Sequence, residues 1–162
     1  MKLFIIGSAG VVGAGLMLFT IAGHQRADAH CQVPCGIYDD AARISAMMED
    51  TATITKAMKQ INELSDKHDA LNINQSMRWI NTKEHHASHI ITTVSEYFLT
   101  QKVKVVESGA DGYQAYLENL ADHHHVLKAA MKTKQTVDPA NAVALQTSIL
   151  KLGARYGKRQ GS

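Results

Sequence analysis

The sequence predicts an all-α protein, an antiparallel four-helix bundle with an N-terminal hook of histidine and cysteine side chains in front of it. Three observations carry this. Only two prolines occur in 162 residues, aromatics are scarce, and Ala, Met, Ile and Leu are plentiful, a composition that favours helices. Four stretches repeat apolar residues at intervals of three and four, one face of a helix. Short polar or glycine-bearing breaks separate these stretches, which suits antiparallel neighbours.

The first helix is predicted from Asp40 to about Asp66. Asp39-Asp40 supplies a cap and complements the helix dipole. Its stripe is Ile44, Met47, Thr51, Ile54, Met58, Ile61 and Ser65. Met47, Met48 and Met58 lie at core spacing, so they read as packing side chains rather than thioether ligands. A polar connection then runs to Asn74.

The second helix is predicted from Asn74 to Lys102, with Met77, Ile80, Ala87, Ile91, Val94 and Phe98 as its stripe. Within it, His85 and His89 stand four apart, a feasible two-ligand arrangement with no third ligand evident; solvated or interface histidines are the plainer reading. Val103 to Gly112 forms a second break, carrying Ser108-Gly109-Ala110-Asp111-Gly112. The third helix is predicted from Tyr113 to Lys134, with Tyr116, Leu117, Leu120, His124, Leu127 and Met131 on one stripe. Adjacent residues fan around a helix, so His123, His124 and His125 cannot share one ion, and His124 is the one expected to face the core. Asp138-Pro139 is a cap followed by proline at the first helical position. The fourth helix runs from there to Tyr156, through Ala142, Leu145, Ile149 and Leu152. The bundle thus spans 39–157, with 158–162 as a tail.

Residues 1–29 read as a leader. Lys2 precedes an apolar run from Leu3 to Gly23, and Ala27-Asp28-Ala29 is a small-x-small triplet of the kind signal peptidases cut after. The run is long enough to span a bilayer, so an uncleaved anchor is the competing reading. Cleavage leaves 133 residues with a formal charge of +1. That balance argues against nucleic-acid binding and, after cleavage, against a membrane surface.

Cleavage after Ala29 makes His30 the N-terminus of the segment His30-Cys31-Gln32-Val33-Pro34-Cys35-Gly36-Ile37-Tyr38, which holds both cysteines of the chain. The terminal amine, the Cys31 amide and the thiolates of Cys31 and Cys35 can make a plane of two nitrogens and two sulfurs, with the His30 imidazole free to approach axially. Square-planar sites of this kind suit Ni(II) or Cu(II). Pro34-Cys35-Gly36 is turn chemistry that lets Cys35 fold back. A disulfide between the two cysteines is the competing reading of an exported chain. The C-x3-C spacing excludes c-type haem attachment and a thioredoxin-type redox pair.

The pattern H-C-x-x-P-C-G-x-Y, placed directly after a processing site, resembles the nickel-binding hook of nickel superoxide dismutases, and the helical remainder is similar to that family in length and pattern. The resemblance implies one nickel ion per subunit, held by His30, Cys31 and Cys35. It implies disproportionation of superoxide to dioxygen and hydrogen peroxide by Ni(II)/Ni(III) cycling, with His30 as axial ligand and Tyr38 screening the open face. It further implies a homohexamer and a leader-processing peptidase. The location is then export, periplasmic in the first instance, or cytoplasmic if a dedicated protease removes the leader. In that family a glutamate early in the first helix and an arginine hold the axial imidazole. Here Ser45 or Glu49 stands near the glutamate's place, and Arg78 or His85-His86 near the arginine's. Two further readings stay open: a non-catalytic exported Ni/Cu-binding bundle, and a disulfide-stapled, membrane-anchored helical protein.

Overall fold

The structure, a computed structural model, describes residues 39–156. Four helices account for most of them: α1 (Asp40–Leu64), α2 (Ala70–Thr92, continued by a wider segment over Thr93–Lys102), α3 (Tyr113–Lys134) and α4 (Pro139–Tyr156). Each helix packs on its neighbours in sequence, and α1 closes the ring against α4. This is the antiparallel four-helix bundle that the apolar periodicity predicts.

The caps explain where the helices begin. Asp39 keeps an extended backbone while its carboxylate accepts from the Ala41 and Ala42 amides at 2.8 and 3.4 Å. Asp69 does the same for Leu71 and Asn72, both at 3.1 Å. The second helix therefore starts at Ala70, four residues earlier than the expected Asn74, because Asp69 is the cap. At α4, the Asp138 carboxylate accepts from Ala140 N at 3.0 Å, with Pro139 in the first turn as expected. Gly112 opens α3 at φ +85°, a left-handed value that suits a residue without a side chain.

Beyond Thr92 the hydrogen bonds of the second helix widen by one residue. The Val103 amide donates to Phe98 O at 3.0 Å, and the Thr100 and Gln101 side chains reach back five residues to Ser95 and Glu96 carbonyls. Such wide turns are rare and cluster at functional sites. Here the neighbours Tyr97 and Phe98 are both buried.

The core comprises Met47, Ile54 and Met58 of α1, Ala87, Ile90, Val94 and Phe98 of the second helix, Val126 and Ala130 of α3, and Ala142, Leu145, Ile149 and Leu152 of α4. The methionines at core spacing do pack. Two stripes are displaced from expectation. Met77 is 55 % exposed, since the first turns of α2 bury no side chain before Lys83. On α3 the buried line is Asp122, His123, Val126, Ala130 and Thr133, so His123 faces the core and His124 faces solvent. Small residues there let α3 pack closely, and the bulkier Leu117 and Met131 sit at the edge. The α1–α4 contact is also close: a Cβ at Gly153 would stand 2.9 Å from the Ile44 side chain.

Buried Lys83 joins two helices. Its ammonium donates to the carbonyls of Thr133 and Lys134 at 2.9 and 2.8 Å and to Glu84 at 2.9 Å. It thereby satisfies the last carbonyls of α3, which have no partner within that helix.

Candidate metal centre

The predicted hook residues His30, Cys31, Cys35 and Tyr38, with Pro34 and Gly36, lie outside the described residues, as do the leader and the tail. What the structure describes is the platform to which the hook is joined. Asp39 follows Tyr38 directly and caps α1, so the chain passes from hook to bundle with no linker.

Charged and aromatic side chains gather at this end of the bundle. The Tyr97 hydroxyl donates to the Asp40 carboxylate, and Lys102 pairs with the same carboxylate at 3.0 Å. The Lys102 ammonium and the Arg43 guanidinium lie 5.6 and 5.8 Å from the Tyr97 ring centre. Tyr97 meets Phe98 edge-on at 5.0 Å, and Phe98 meets Tyr156 at 4.4 Å.

The line continues through Tyr156 to His123, whose ring lies 2.9 Å from the tyrosine hydroxyl through Nε2 and 2.7 Å from Asn119 O through Nδ1. A carbonyl only accepts, so Nδ1 carries the proton and Nε2 accepts from Tyr156. Burial lowers the His123 pKa, outweighing the Asn119 hydrogen bond. Burial, with the charge of Asp40 adding to it, pushes the Tyr156 hydroxyl up to about 12. Both groups are therefore neutral at physiological pH, as that hydrogen bond requires.

Next to His123, Asp122 is 4 % exposed and accepts from Arg155 Nε and Lys151 Nζ, each at 2.7 Å. Burial alone would raise its carboxyl; the hydrogen bonds and charges of Lys151 and Arg155 outweigh it and hold the carboxyl below the usual carboxylate range.

Of the histidines singled out in the sequence, His85 is exposed, and the pair that converges is His86 and His89. Both bind the Asp50 carboxylate, His86 Nδ1 at 2.6 Å and His89 Nδ1 at 2.7 Å. Asp50 was not singled out, although a carboxylate between Met47, Thr51 and Ile54 on an apolar stripe marks a buried charge in need of partners. Ser45, Glu49 and Arg78 are exposed. Among the described residues, no group of three or more His, Cys, Asp or Glu side chains is arranged so that all could hold one metal ion. No described helix is long and apolar enough to cross a membrane.

An all-helical bundle, entered from a segment that holds both cysteines of the chain, is the class of protein that the structure defines. A family model extends that class to a particular one. The model for nickel-containing superoxide dismutase matches residues 25–160, hook and bundle together, and the chain belongs to that family. It is therefore an oxidoreductase that uses nickel and acts on superoxide. No curated protein and no solved structure matches the chain.

Proposed function

We propose that the chain disproportionates superoxide at a nickel ion held by residues 30–38. The observation that carries this is the position of the hook: every fixed residue of the pattern is present, inside the matched range, one residue before the cap of α1. The donor set fits the metal. Two thiolates, an amidate, a terminal amine and an imidazole would suit nickel better than the sulfur-rich tetrahedral set that zinc prefers.

Cys31 and Cys35 supply the thiolates. Cys31 would also supply its amide nitrogen, and His30 its amine and its imidazole. A bound nickel ion supplies a one-electron couple between the +2 and +3 states. Overall, two superoxide anions and two protons become dioxygen and hydrogen peroxide. Tyr38 would screen access to the metal, and its hydroxyl would order water there. Removal of residues 1–29 by a leader peptidase is required, since only a free His30 has an amine to donate. We place the mature protein outside the cytoplasm, as a homohexamer.

Cys31→Ser tests the assignment. The variant is expected to lose nickel and dismutase activity while circular dichroism and thermal stability of the bundle stay unchanged. Retained activity in a folded Cys31→Ser protein would sink the assignment. Intact mass separates the other readings: the assignment expects a chain beginning at His30 with one nickel, and an anchored disulfide protein expects residues 1–29 present with two hydrogens lost.

A further inference from the structure

We propose that His86 and His89 form a second metal site on the flank of the bundle, for a borderline divalent cation such as Zn(II), with Asp50 as the residue that positions them. Its observations lie in α1 and α2, among the described residues, and do not depend on residues 30–38 binding nickel.

The Asp50 side chain is 9 % exposed and presents one oxygen to each imidazole, at 2.6 and 2.7 Å. A carboxylate can only accept, so the proton of each ring sits on Nδ1 and the lone pair of the neutral ring on Nε2. That is the arrangement found behind metal-bound histidines, where a carboxylate fixes tautomer and orientation and raises the basicity of the ligating nitrogen. The side chains are 30 % and 51 % exposed, so the rings reach solvent from a buried anchor. They stand three apart on α2, on neighbouring turns of one face, and the shared carboxylate holds them side by side.

Satisfying a buried carboxylate does not by itself need imidazole; at Asp122 the task falls to Arg155 and Lys151, which have no lone pair to offer. At Asp50 the same task leaves two ligands facing outward. Imidazole suits zinc, copper and nickel. With two protein ligands, water completes the coordination, and the site is weaker than one built on thiolates.

The test is a calorimetric titration of the processed protein, residues 30–162, with Zn(II) after incubation with nickel, with nickel content measured before and after. The H86Q/H89Q protein is run beside it, and H124Q/H125Q serves as a control on exposed histidines. The expected result is one zinc equivalent per chain more in the unsubstituted protein and the control than in H86Q/H89Q, with circular dichroism alike in all three. Asp50→Asn is expected to weaken that equivalent by about 10-fold or more. Equal zinc uptake with and without the two histidines overturns the site. Unchanged affinity in a folded Asp50→Asn protein overturns the positioning role.

Discussion

Asp122 and Asp50 are both carboxylates turned into the bundle, and their partners differ in kind. Asp122, on α3, is gripped by a guanidinium and an ammonium from α4. Asp50, on α1, is gripped by two imidazoles from α2. Each ties one helix to a neighbour. The first grip is made of permanent cations and closes on itself. The second uses one nitrogen of each ring and leaves the other available. The chemistry of the partner, rather than the burial of the acid, decides whether a buried carboxylate ends as a fastening or supports a site.

The comparison can be broken by substitution. Asp122→Ala is expected to cost the most, about 2–3 kcal/mol in a denaturation experiment. It strands Arg155 against a buried position, though Lys151, at 66 % exposure, regains water and keeps the loss below that of a fully buried pair. Asp50→Ala is expected to cost about 1–2 kcal/mol, because both rings it releases can turn to solvent. Equal losses would erase the distinction between the two grips. Tyr156→Phe removes one hydrogen bond to His123 and is expected to cost about 1 kcal/mol.

Acid should sharpen the comparison in two stages. His123 is buried with a lowered pKa, so as the pH falls through its ordinary value of 6.5 the unfolded chain takes up a proton before the folded one does. Stability is full above that value and declines below it. The depressed carboxyl of Asp122 adds stability above 3.8, which is lost as the pH falls further toward its folded value. Chemical denaturation at a series of pH values should show a first decline below about 6.5 that vanishes in His123→Phe. The second decline, below about 4, should shrink in Asp122→Asn, with a remainder from Asp69, whose carboxyl the Asn72 and Leu71 hydrogen bonds also hold below the usual range.

The bundle was legible in the sequence because its stripes are long and its caps are aspartates: Asp39 and Asp138 mark helix starts in the structure as they do in the sequence. Asp69 is the same signal, hidden in a run of polar residues that reads as loop. The stripe of α3 was misplaced by one residue because large apolar side chains were followed. The close-packed line instead runs through Ala130 and Thr133, where small size matters more than hydrophobicity. His123 and His124 differ by one position and about 100° around the helix, so that slip exchanged a buried ring for an exposed one. Residues 30–38 read as ligand chemistry in the sequence, from the order of nine residues, and lie outside the described residues. The Asp50 grip was not legible, since a pairing between α1 and α2 depends on how two helices align, which no local pattern states.

The Asp39 cap also sets a radius. A helix that begins at Asp40 fixes one end of the hook to the rim of the bundle, and nine residues, however they run, reach at most about 30 Å. The backbone of residues 30–38 therefore lies within a sphere of that size centred on the start of α1, and its donors within one side-chain length more. Were those residues to hold the nickel, a second subunit sheltering it would have to enter that sphere, and a subunit surface that cannot approach the rim of α1 would be excluded from the centre by the length of the tether alone.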